Sequence, residues 1–160
     1  MKKIPSIFLG LALTACATTA IAGKTFDSGG EINSNDSTQM IPISDNLLVI
    51  KSDNQGTITT ADPENPLNGA TGGCSGTMLL SMGKLTGGGY CTYTDADGNT
   101  AITSFTGSSL NDKGGNSGAW TMVGGTGKYI GATGGGDYSS TPNEDRTESV
   151  TKITGEIVLK

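Results

Sequence analysis

Residues 150–160 show the cleanest alternation in the chain. Ile153, Gly155, Ile157 and Leu159 share one face of an extended strand, and Thr154, Glu156, Val158 and Lys160 share the other. One packed and one wet face is the pattern of an antiparallel sheet. Short β-like segments recur at 47–51, 56–60, 77–82, 89–94 and 99–106. Within 89–94, Tyr90, Thr92 and Thr94 point one way, while Cys91 and Tyr93 point the other. Gly, Asn, Asp and Pro punctuate these segments, with Pro63 and Pro66 in a loop over 62–69 and a turn at 95–98. The polar stretch 108–118 is expected to be a long loop. Residues 23–39 hold only Phe26 and Ile32 as apolar side chains, so they are expected to form a flexible N-terminal segment, poorly ordered or lying along the sheet edge. The folded domain is then expected over 40–160. After residue 22 no segment carries a helical period. Many short strands with Gly-rich turns predict an all-β fold, a single antiparallel β-barrel whose closure removes exposed strand edges.

Residues 120–138 are the densest glycine region. Two apolar pieces, 120–123 and 128–130, flank a Gly124-Gly125-Thr126-Gly127 turn, and Gly131 and Gly134–Gly136 follow. The segment reads as strand, bend, short strand, bend, with the glycines in a structural role. A phosphate-binding loop is excluded, because Tyr129 follows Gly127-Lys128 and Met122 stands where that motif needs glycine. Lys128, alone on a turn, is expected to be solvated. Val123-Gly-Gly-Thr-Gly-Lys-Tyr129, followed by Gly131-Ala-Thr-Gly134, resembles the Gly-Thr-Gly-aromatic signature of the dirigent and allene oxide cyclase barrel superfamily. It is similar in particular to the small secreted bacterial proteins of that group. Residues 89–98 resemble an upstream part of the same pattern, and the likeness covers roughly 68–160. It implies an allene-oxide-cyclase/dirigent-like barrel. It does not fix a role, because one fold hosts many. Allene oxide cyclases use a buried carboxylate in an apolar pocket, and no motif here matches it, so no catalytic residue is carried over. Dirigent proteins guide the coupling of radicals made elsewhere and have no redox centre.

Residues 1–22 read as an export signal: Lys2 and Lys3, a short apolar run from Ile4, and an Ala20-Ile21-Ala22 cleavage site. A lipobox-like Leu13-Thr14-Ala15-Cys16 is the competing route, which would anchor a lipoprotein through Cys16. A periplasmic or secreted protein is expected, with no transmembrane segment. Loss of Lys2 and Lys3 with the signal takes the formal net charge from −5 to −7. That balance argues against nucleic acid as a partner. Cys74 and Cys91, the two remaining cysteines, are expected to form a disulfide closing a hairpin. The sequence has no His, which removes the Ser-His-Asp and Cys-His triads. No metal site and no cofactor are expected. The Asp95-Ala96-Asp97-Gly98-Asn99 run resembles the start of a calcium loop, but residue 12 of such a loop would be Thr106, so a hairpin turn is the reading adopted. Trp120, Tyr129, Tyr90 and Tyr93 are the candidates to line a pocket, since small-ligand sites are concave and mostly apolar. The functional expectation is an exported, non-catalytic barrel that binds a small apolar or phenolic ligand. A filled structural barrel and an allene-oxide-cyclase-like isomerase are the alternatives, and a homo-oligomer is left open.

Overall fold

The computed structural model describes residues 23–160, so the signal segment and the Cys16 alternative lie outside the described residues. The strands are β1 (Lys24–Asp27), β2 (Gly30–Ser44), β3 (Leu47–Thr60), β4 (Thr71–Ser81), β5 (Lys84–Thr94), β6 (Thr100–Leu110), β7 (Asn116–Gly125), β8 (Thr133–Pro142), β9 (Glu148–Ile153) and β10 (Glu156–Leu159). Every pairing is antiparallel. Strands β2 to β8 pair in sequence order, and β9 pairs with both β8 and β2, which closes an eight-stranded barrel. β10 continues the line of β9 against β8, and β1 pairs with β10, so these two short strands lengthen the same walls. The Ser28 N–H donates to the Gly155 carbonyl at 2.9 Å where both walls break. The all-β barrel predicted by alternation is the observed fold.

Several boundaries differ from the sequence expectation. The barrel wall begins at Lys24, and residues 23–39 are not a loose segment: β1 and most of β2 lie there. β2 is paired on both sides over Gly30–Asn35, by β3 and by β9, so its backbone is satisfied without apolar side chains. The segments at 47–51 and 56–60 are one strand, β3. The loop at 108–118 shrinks to residues 111–115, because β6 runs to Leu110 and β7 starts at Asn116. The short strand expected at 128–130 is instead a single 3-10 turn, Gly127–Tyr129. Gly127 has a φ of 51°, and a Cβ there would run into the Asn99 side chain.

The end of the barrel that carries the β3–β4 and β7–β8 connections is closed. Tyr129 is fully buried there with Ile58, Leu67, Ala70, Ala132 and Ile157. Its hydroxyl donates to the Pro66 carbonyl at 2.7 Å, which ties the β3–β4 loop across the barrel end as a plug. Asn65, Leu67 and Ala70 are the buried residues of that loop, and Asn65 is satisfied locally: its amide donates to Asp27 O at 2.6 Å and its carbonyl accepts from Leu67 N at 2.8 Å.

Lys128 is not a solvated lysine. Its ammonium lies 2.9 Å from Asp95 Oδ2 and 3.3 Å from Asp97 Oδ2. The Asp95 side chain is 4% exposed. Asp95 Oδ1 accepts from the amides of Asp97 and Asn99, both at 2.9 Å, so the 95–99 run is a hairpin turn built around one carboxylate. Asp95 Oδ2 has no well-angled hydrogen-bond donor among the described residues, and the adjacent ammonium charge compensates it. Burial pushes the Asp95 pKa up, but Lys128 and the Asn99 and Asp97 amides outweigh it and hold the pKa at about 2. Lys128→Ala leaves this carboxylate buried without its cation and should cost about 2 kcal/mol in denaturant unfolding. A depressed carboxylate pKa stabilises the fold above the unfolded value of about 4 and loses that contribution as pH falls toward about 2. The gap between wild type and variant should therefore narrow over that window. Equal stabilities at pH 7 would show that the pair contributes nothing.

Candidate functional site

A cavity of about 280 Å³ opens at the other end of the barrel. Inward-facing residues alternate along every strand, as the pleat requires. At its base the cavity meets Ile32, Ile58, Leu67 and Ile153. Near the mouth it meets Met40, Leu48, Ile50, Leu80, Leu85 and Leu110. Between these apolar levels the wall is divided. The contiguous arc β8, β9, β2 and β3 presents Ser140, Ser149, Thr151, Ser34, Asp36 and Asn54. The arc β5 to β8 presents Tyr93, Phe105, Trp120 and Tyr138. Asp36 and Arg146 are the only charged side chains among the lining residues.

The aromatic wall is held in place. Phe105 and Tyr138 meet edge to face, with centroids 6.0 Å apart and planes at 87°. Gly76 gives Phe105 its room: a Cβ at Gly76 would stand 2.6 Å from Phe105 Cζ. The Trp120 indole N–H donates to Thr154 O at 2.9 Å, and the Tyr138 hydroxyl donates to Asn116 Oδ1 at 2.7 Å. Tyr93 OH lies 3.3 Å from Cys74 Sγ. Burial pushes the Tyr93 and Tyr138 pKa values up to about 12, so both phenols stay neutral near pH 7. Neither is poised to act as a base there.

Cys74 and Cys91 are direct cross-strand partners on β4 and β5, and their disulfide faces the cavity. Of the four aromatic candidates from the sequence, Trp120 and Tyr93 line the cavity. Tyr129 does not line it: it packs beyond the base, against the plug. Tyr90 stands on the outer wall at 64% exposure, opposite in direction to Tyr93 as alternation requires. Sequence reasoning missed Phe105, Asp36 and Asn54. The signal for Asp36 and Asn54 was the alternation of Ser34, Asp36 and Thr38 in β2 and of Ser52 and Asn54 in β3, which is a strand pattern written in polar residues.

Among the described residues no group of His, Cys, Asp and Glu is placed to hold a metal ion, and no helix is long and apolar enough to cross a membrane. No family model matches the chain, and no curated protein matches it. Solved structures do. The pterocarpan synthase dirigent protein GePTS1 superposes with a TM-score of 0.58 at 13% identity, over 94% of this chain and 99% of that one. The pterocarpan synthase dirigent protein PsPTS1 gives a TM-score of 0.54 at 13% identity, over 86% of this chain and 97% of that one. The likeness is one of fold, a dirigent-type closed barrel, and runs over nearly the whole chain.

Proposed function

We propose that this chain is an exported, non-catalytic barrel protein that holds a small, mostly apolar ligand, aromatic or phenolic in character, inside the barrel. The observation that carries this reading is the open cavity of about 280 Å³ with an aromatic wall. Its volume is close to the lower end of small-molecule sites and suits one or two rings. Export is supported by the signal-like residues 1–22 and by the disulfide, which persists in oxidising compartments. The isomerase alternative is favoured by one observation, a carboxylate, Asp36, in the cavity wall. The neutral phenols beside the cavity offer that alternative no partner base.

Trp120 is the only Trp in the chain, so its fluorescence reports on the cavity wall alone. Titration with 4-nitrotoluene, an apolar quencher, should give saturable quenching with a Kd between micromolar and millimolar, and Phe105→Ala should weaken it several-fold. Linear quenching no stronger than that of free tryptophan would mean that the barrel does not take up a ligand.

A further inference from the structure

We propose that the Cys74–Cys91 disulfide is a modification site: a low-molecular-weight thiol that enters the barrel exchanges with it, becoming bonded to Cys91 while Cys74 leaves as a thiolate held by the Tyr93 hydroxyl. The inference needs the cavity to admit a small solute and does not depend on an aromatic ligand. Both cysteines line the cavity, Cys91 at 6% exposure. The bond joins direct partners on β4 and β5. The opposite face of that strand pair is the outer wall, where Ser75, Tyr90 and Thr92 point away from the bond. A reagent therefore reaches the sulfurs from inside the barrel, through its open mouth.

The two sulfurs are not equivalent. Tyr93 follows Cys91 by two residues on β5, so it points to the same side, and its hydroxyl oxygen lies 3.3 Å from Cys74 Sγ. A disulfide sulfur carries no proton, so the phenol is the donor in this contact. The hydroxyl has no other hydrogen-bond partner among the described residues, which leaves its proton to the sulfur. Burial pushes the Tyr93 pKa up to about 12, and the proton therefore stays on the oxygen at neutral pH. Cys91 Sγ has no such donor among the described residues.

Thiol–disulfide exchange is an in-line displacement: a thiolate bonds to one sulfur as the other departs with the electron pair of the broken S–S bond. A sulfur that departs beside a donor departs more readily, because the donor stabilises the negative charge it acquires. That assigns departure to Cys74 and attack to Cys91. The thiolate approaches Cys91 opposite the bond, from the β6 side, where its cross-strand partner Thr103 and then Phe105 also line the cavity. The products are a mixed disulfide on Cys91 and a thiolate on Cys74, and the proton lost by the incoming thiol goes to water. The incoming sulfur is oxidised and the Cys74 sulfur reduced, so no further oxidant takes part. Return of the Cys74 thiolate to Cys91 expels the thiol, which makes the modification reversible.

The test exposes the folded, oxidised protein to 2-mercaptoethanol at mildly alkaline pH and samples early times by acid quenching. Pepsin digestion in acid and mass spectrometry then locate the adduct. It is expected on Cys91 at about ten times the amount on Cys74, the ratio for one hydrogen bond to a charged group. Tyr93→Phe should slow exchange about tenfold and spread the adduct over both cysteines, with a circular dichroism spectrum like that of wild type. Should that variant fail to fold, the position of the adduct in wild type decides alone. An adduct chiefly on Cys74, or equal rates for wild type and a folded Tyr93→Phe, overturns the assignment. Absence of any adduct until the chain is unfolded in urea overturns exchange at this site, and the ligand reading of the cavity then still stands or falls by its own fluorescence titration.

Discussion

Tyr129→Ala should remove about 3–5 kcal/mol of folding stability, the range for truncating a large buried aromatic. Tyr129 has no exposed surface and belongs to the buried cluster that closes the barrel, with Ile58, Leu67, Ala70 and Ile157 among its members. Its hydroxyl is also the tie to the β3–β4 plug through Pro66. Truncation therefore leaves a ring-sized void and frees the plug together. Two variants separate these contributions. Tyr129→Phe keeps the ring and drops only the hydroxyl, leaving the Pro66 carbonyl short of a donor, and should cost about 1 kcal/mol. Urea unfolding of both against wild type is the measurement. A loss under 1 kcal/mol for Tyr129→Ala would mean that this end of the barrel is not packed as described.

Removal of the Cys74–Cys91 bridge should cost about 3 kcal/mol. The loop-entropy relation gives that value for a sequence separation of 17, and it acts mainly by freeing the unfolded chain. The bridge joins β4 to β5 between direct partners, so the native ladder on either side persists without it. The double variant Cys74→Ala with Cys91→Ala should therefore fold, with a lower denaturant midpoint and retained strand signal in circular dichroism. Reduction of wild type with dithiothreitol should give the same shift. If the oxidised and reduced proteins unfolded at the same denaturant concentration, the covalent link would hold no part of the stability.

The chain shows its barrel most openly where apolar and polar residues alternate, as in β9 and β10. It shows the disulfide through the placing of Cys74 and Cys91 on two arms of one hairpin. The first wall was hidden for a physical reason. A strand that lies in the polar arc of the cavity wall and faces solvent on its other side needs no apolar face, so residues 30–39 of β2 look like a polar tail. The same property concealed Asp36 and Asn54. Alternation separated Tyr90 from Tyr93 correctly, but which of the two points inward depends on barrel closure, a long-range fact that local pattern does not carry. Tyr129 lies outside the cavity because the 3-10 turn replaces the expected strand and puts the ring in the buried cluster under the plug. The partner of Lys128 is not legible locally, because Asp95 is more than thirty residues earlier in the chain and only the pairing of β6 with β7 brings the two turns together.

The barrel interior is an open, aromatic-walled cavity and not a filled core. Crystals of the protein soaked with 4-bromotoluene test it most directly, because bromine scatters anomalously and locates itself. One dominant bromine peak is expected inside the barrel, within van der Waals contact of Phe105 or Trp120. An interior without bromine, with peaks only on the outer wall near Tyr90, would contradict it.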